Sequence, residues 1–176
     1  SLLDQLLEQW HLVECPVNLR RAGDYLLGFI DPDGYLRTDR QTLIDQAPGE
    51  LDPDDLDPAL QLIQTSLDPV GIGARTPREC LLLQIDAKLA AQDGLDLSVE
   101  RVLVDAHLED LAQNRMPRIA KATGLSIEQI KKSVLRLRIF HPHPGRLLVD
   151  DAPHAIRPDA IIEFDEVEDR YIAVLT

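Results

Sequence analysis

The stretch Leu67-Asp68-Pro69-Val70-Gly71-Ile72-Gly73-Ala74-Arg75-Thr76-Pro77-Arg78-Glu79-Cys80-Leu81-Leu82-Leu83 decides how this chain is organised. Pro69 disfavours the helical basin for Asp68, so a helix running into it ends there. Gly71 and Gly73 open backbone angles closed to other residues. Thr76 is a helix N-cap, Pro77 fits the first helical position and Glu79 stands at the capping-box spacing. The two glycines also invite a phosphate-loop reading. A dinucleotide fingerprint needs a third small residue at the right spacing and a strand before it. Thr76 occupies that third position, and the run before Asp68 has a helical pattern. Asp68, Pro69, Gly71, Gly73, Thr76 and Pro77 therefore read as a structural joint between two helices, with no cofactor attached.

The flanks extend the helical reading in both directions. Leu2, Leu3, Leu6, Leu7 and Trp10 mark an amphipathic first helix. A second runs from about Val17 to Phe29 and buries Leu19, Ala22, Leu26 and Phe29. Asp31-Pro32-Asp33-Gly34 is a turn. Its aspartates resemble the start of a calcium loop, but Gly34 comes too early and the later glutamate is missing. A short helix around Leu43 and Ile44 ends at Pro48-Gly49. Asp52-Pro53 and Asp57-Pro58 both have the form of helix starts, ahead of an apolar stripe at Leu60, Ile63 and Leu67. After the joint a helix is predicted from Pro77 to about Gln92. Ser98 caps the next, which runs through Val102, Ala106 and Leu111 to about Asn114.

Pro117 then starts a short helix with Ile119, Ala120 and Ala122. Thr123-Gly124-Leu125 makes a tight turn, and Ser126 caps a helix with Ile127, Ile130, Val134 and Leu137 on one face. Small residues that allow close approach, a glycine turn and an apolar seam are the logic of a helix-turn-helix, although many helical hairpins share it without touching DNA. His141-Pro142-His143-Pro144-Gly145 lacks cysteine or acidic ligands at a zinc spacing and reads as a stiff extended exit. Ala160–Phe164 and Tyr171–Leu175 are β-rich runs separated by a charged turn, so a hairpin is expected.

Composition narrows the class. Hydrophobic residues make up 44% of the 176 residues but aromatics only 4%, so leucine carries the core, as suits helix packing. No apolar run approaches the ~20 residues that span a bilayer. Asp4 and Glu8 interrupt the first apolar segment, which therefore does not read as a signal peptide. Cys15 and Cys80 make no disulfide framework and fit a reducing, cytoplasmic setting. No grouping of Ser, His and Asp, no metal cluster and no phosphate loop survives inspection, so no catalytic, cofactor or metal residue is assigned and an enzyme is not expected.

Charge is uneven. Leu111 to Val149 holds eight basic residues and one acid, a net +7 that leaves −20 on the rest of a chain whose total is −13. Such asymmetry suits two surfaces with different partners: an acidic one for a basic protein, and a basic one for phosphates or an acidic segment. Solvated helix faces explain the same pattern without any partner.

Taken together, these elements resemble the central, core-polymerase-binding region of the sigma-54 family of bacterial transcription initiation factors. Four stretches carry the likeness: Tyr25 to Leu36, the joint from Leu67 to Leu83, His107 to Asn114 with the helix-turn-helix-like pair behind it, and His141 to Arg146 with Arg157-Pro158-Asp159 and the β-rich runs. At positions 141 and 143 the family usually has asparagine and lysine. The resemblance implies a mainly α fold in three parts: an N-terminal helical subdomain (1–95) making the main polymerase contact, a helix-turn-helix-like helical subdomain (96–145), and an extended exit with a short β hairpin (146–176). It implies a non-enzymatic factor that binds core RNA polymerase, meets promoter DNA as part of a longer factor and answers an ATP-dependent activator through a segment ahead of Ser1. On that reading Arg115, Arg118, Lys121, Lys131, Lys132, Arg136 and Arg138 face DNA or an acidic segment and position it electrostatically. The rival reading is a stand-alone helix-turn-helix regulator.

Overall fold

The computed structural model describes residues 1–91, 94–150, 160–165 and 170–175, with side chains described up to residue 149. The protein is mainly α. Helix α1 (Leu2–Leu12) opens with a full capping box, Ser1 and Asp4 each accepting from the other's backbone N–H. Helices α2 (Val17–Leu27), α3 (Arg40–Asp45) and α4 (Leu56–Ser66) follow, with a 3₁₀ turn at Pro53–Asp55 ahead of α4. They enclose one core, in which Leu6, Trp10, Ala22, Leu26, Leu27, Leu56 and Ile63 are buried. Trp10 packs directly against Gly23 of α2, and its Nε1 donates to the Arg20 carbonyl at 3.2 Å. The Arg20 guanidinium sits over the ring, 5.1 Å from its centroid.

The joint does what its residues demand. α4 ends at Ser66, and Gly71 and Gly73 take φ of +105° and +80°, the left-handed region that glycine tolerates best. Thr76 caps α5 (Pro77–Ala90) by accepting from Glu79 N. The capping box is only half formed. Glu79 turns its carboxylate to Arg75 N at 2.7 Å and to Gln64 Nε2 at 2.8 Å, which ties α5 back to α4.

Beyond the joint, α6 (Ser98–Ala112) is sandwiched between α5 on one side and α7 (Met116–Thr123) and α8 (Ile127–Leu137) on the other. Ile85, Leu97, Val104 and Phe140 fill the α5 side, and Leu103, Ile119 and Ile130 fill the α7–α8 side. α6 departs from helical angles at His107, with φ −132° and ψ 17°. Gly124 (φ +74°) turns the chain between α7 and α8, and Ser126 and Gln129 form a second full capping box. Helix α9 (Pro144–Asp150) packs on α1. Two strands, β1 (Ala160–Asp165) and β2 (Arg170–Leu175), pair antiparallel with Ala160 opposite Leu175. The charged turn expected between them, and Arg157-Pro158-Asp159, lie outside the described residues.

Three local expectations need correction. Asp57-Pro58 is not a helix start: it lies in the first turn of α4, where proline is tolerated because that N–H has no intrahelical acceptor. Ser98 does not cap α6. That helix has no side-chain cap; Ser98 N donates instead to the Asp96 carboxylate at 2.9 Å. Along α6, which is held from two sides and has no single apolar stripe, Glu100, Leu103 and Val104 are buried while Val102 and Ala106 are exposed. Pro144 begins a helix instead of prolonging an extended exit, as suits proline at a first helical position.

Candidate partner-facing surface

The seven basic residues singled out above lie on α7, α8 and their flanks, but they are not equivalent. Arg115 and Arg118 both approach the half-buried Asp110, at 3.5 and 3.7 Å, so one carboxylate partly neutralises two cations. Arg136 turns inward. Its Nη2 donates to the Asp96 carbonyl at 2.6 Å, and its Nη1 lies 3.2 Å from Oε1 of Glu100, whose side chain is 1% exposed. Both Glu100 oxygens are buried without a well-formed hydrogen bond, so this ion pair is their charge compensation. Lys121, Lys131, Lys132 and Arg138 are exposed on the outer faces of α7 and α8. Leu135, Ile139 and Ile127 are exposed beside them, so the outer face of α8 is basic and apolar by turns. Ile127, expected on the inner seam, is thus on the outside, and Ser133 takes an inner place near Ile130.

On the opposite part of the molecule, many acids already have backbone work. Asp39 caps α3 and Asp52 caps the 3₁₀ turn. The hydroxyl and N–H of Thr42 hold the Asp39 carboxyl below its usual range. Burial alone would raise Asp31, but the Tyr35 N–H, the Arg37 guanidinium at 2.6 Å and the Asp33 N–H together hold it low. That carboxylate therefore organises the turn. Among the described residues no group of three or more His, Cys, Asp or Glu side chains is arranged to hold a metal ion. Glu8, Glu14, Asp45, Glu50 and Asp54 remain exposed on α1 to α4 and the loops between them.

Three turns meet at the joint. Gly73 N donates to the Gly34 carbonyl at 2.9 Å, and Leu36 N donates to the Ala74 carbonyl at 3.0 Å. From the other side Gly145 N donates to the Asp33 carbonyl at 2.9 Å, while Arg146 Nε reaches the Asp33 carboxylate at 2.7 Å. Gly34 and Gly145 stand back to back. A Cβ on Gly145 would come within 2.6 Å of the Gly34 nitrogen and of the Pro32 carbonyl. The Tyr35 hydroxyl donates to the Pro142 carbonyl, and burial pushes that phenol well above its usual range. The joint is therefore the place where residues 31–36, 71–74 and 141–146 close on one another.

Residues 1–176 match the family model described as "Sigma-54 factor, core binding domain". The chain belongs to the sigma-54 factor family. It is 32% identical over 165 residues to the RNA polymerase sigma-54 factor of Xanthomonas euvesicatoria, covering 92% of this chain and 34% of that protein. The sigma-54 factor of Bacillus subtilis is 30% identical over 165 residues, with 92% and 36% covered. That of Escherichia coli strain K12 is 26% identical over 163 residues, with 92% and 34% covered. The chain thus spans about a third of the length of these relatives.

Two inward-facing residues of this sigma-54 core-binding domain escaped the sequence reading. Glu100 sits in a helix with charged neighbours and looks like any solvated acid. Gln84 sits among leucines and looks like a break in an apolar run. A clue existed for Gln84 alone, since a polar residue inside such a run needs partners. His141 and His143, the departures from the family pattern, contribute modestly. His141 is held through its backbone, and the His143 ring lies 3.7 Å from Asp33. No described helix is long and apolar enough to cross a membrane.

Proposed function

We propose that this chain is the part of a sigma-54 factor that binds core RNA polymerase during activator-dependent transcription initiation. The observation that carries the reading is the match of the whole chain to the core-binding domain, together with a charge division that separates two partner surfaces. The acidic helices of residues 1–95 form the polymerase-facing part. Residues 96–145 form a helix-turn-helix-like unit whose free cations face DNA phosphates or an acidic segment, and residues 146–176 continue into a β hairpin. The role is non-catalytic and cytoplasmic. Promoter DNA and an ATP-dependent activator are partners of the longer factor.

The direct test is capture of core polymerase by the folded chain at moderate salt. Binding is expected, and its absence would remove the reading. A second experiment separates the surfaces in the full-length factor. Reversing Lys131, Lys132 and Arg138 together to glutamate is expected to weaken the promoter complex at least tenfold, with the salt dependence reduced by about two to three phosphate contacts. Core binding is expected to change less than twofold. Equal loss of both would assign α8 to the polymerase interface. Tight binding of promoter duplex by the isolated chain would instead favour the stand-alone regulator.

A further inference from the structure

We propose that Gln84 is the positioning residue that sets where the basic helix α8 stands relative to the acidic helices, although it touches neither partner surface. Gln84 lies on α5 and is 8% exposed. Its Nε2 donates to the His141 carbonyl at 2.8 Å, and its Oε1 accepts from His141 N at 2.9 Å. One side-chain amide thus satisfies both backbone groups of the same residue, a pairing whose length and chemistry suit glutamine. His141 follows Phe140, which is buried with Ile85, Leu97 and Val104, so the contact pins the chain just past the C-terminal end of α8.

The joint holds Gln84 in place. A Cβ on Gly71 would stand 3.0 Å from Gln84 Nε2 and 2.8 Å from Cys80 Sγ, so only glycine at 71 leaves room for this rotamer. From His141 the seam continues along the acidic part through Tyr35 to Pro142, Asp33 to Gly145 and Arg146, and Gln5 to the Leu148 carbonyl at 3.2 Å. Gln84 is uncharged, and it hydrogen-bonds to Cys80 and His141. Its influence on a partner of α8 is therefore geometric, because it fixes which way Lys131, Lys132 and Arg138 point. Removing it leaves the His141 N–H and carbonyl to find water or other partners, which loosens the seam at its first stitch.

The functional half of this inference rests on the proposed function; the structural half does not. In Gln84→Ala, amide hydrogen exchange is expected to quicken by about tenfold or more across α8 and residues 141–149, while α1, α2 and α4 keep their protection. Gln84→Glu, which retains an acceptor for His141 N but sets a carboxylate against its carbonyl, is expected to fall between the parent and Gln84→Ala. In the full-length factor, Gln84→Ala is expected to bind core polymerase within twofold of the parent, to lose promoter-complex affinity about fivefold or more, and to show a shallower salt slope as phosphate contacts fall out of register. Unchanged exchange in α8 would overturn the proposal, as would equal quickening in every helix. If the parent forms the promoter complex and Gln84→Ala forms it with equal affinity and slope, positioning by Gln84 is wrong. If the parent itself does not bind polymerase, the proposed function fails, and the exchange result still decides the structural half.

Discussion

Gly23→Ala is expected to destabilise the folded chain by about 3 kcal/mol, the upper end for overpacking a closed core. The usual effect of this substitution inside a helix has the opposite sign, since alanine favours the helix over glycine by about 1 kcal/mol. The difference lies in Trp10. A Cβ on Gly23 would overlap Cζ2 and Cε2 of the indole. The ring is fully buried, its Nε1 is bonded to the Arg20 carbonyl, and the Arg20 guanidinium lies over the ring while reaching the carbonyls of Trp10 and Val13. A fully buried, hydrogen-bonded ring cannot move aside without disturbing its neighbours, so the added methyl is expected to push α1 away from α2. Urea unfolding of the variant against the parent measures the loss. Gly49→Ala is the control, because nothing lies within 4 Å of the added methyl, and it is expected to stay within about 0.5 kcal/mol of the parent. A neutral or stabilised Gly23→Ala would mean that the indole is not seated on α2.

The second large effect is at Arg136. Judged as one member of an exposed basic island, Arg136→Ala would cost no more than about 0.5 kcal/mol. Its pairing with the buried Glu100 raises the expected loss to about 3 kcal/mol, because the carboxylate is left without compensation. That figure is the lower end for a broken buried pair, since Arg136 is 42% exposed and its removal admits water. Replacing both partners by apolar residues, Glu100→Leu with Arg136→Met, is expected to recover most of the loss, because no charge then needs a partner. Urea midpoints for Glu100→Leu, Arg136→Met and the double variant form the cycle, with Arg136→Ala measured beside them. If Arg136→Ala lies within 0.5 kcal/mol of the parent, the pair does not hold α8 to α6. The result also bears on function. A DNA-binding defect in an Arg136 variant would report lost helix placement, whereas a defect at Lys131 or Lys132 would report lost contact.

Elements governed by neighbours in the chain were legible. The capping residues Ser126 and Thr76, the glycine turns at Gly34 and Gly124, the stop at Asp68-Pro69 and the stripe of α1 all act over a few residues, so their types and spacing declare them. The misread points depend on what arrives from elsewhere. Ile127 reads as part of the inner seam of α8, where packing against α6 and α7 buries Ile130 and Ser133 instead. Ser98 reads as the cap of α6, but that helix has no side-chain cap, and Ser98 N instead donates to the Asp96 carboxylate two residues back. The basic island was visible as composition, but composition could not separate Arg136, turned in on Glu100, from Lys131 and Lys132, turned out.

The joint from Leu67 to Leu83 marks the same division. By itself the sequence determined that a helix ends at Asp68-Pro69, that two glycines redirect the chain and that Thr76-Pro77 starts the next helix, because each of these is a local restriction on backbone angles. Only the tertiary structure decided why Gly71 and Gly34 are glycine rather than another turn residue. Their missing side chains leave room for Cys80 and Gln84 on α5 and for Gly145 from the far end of the chain. Such close approach is a property of packing between segments distant in sequence, and no local pattern encodes it.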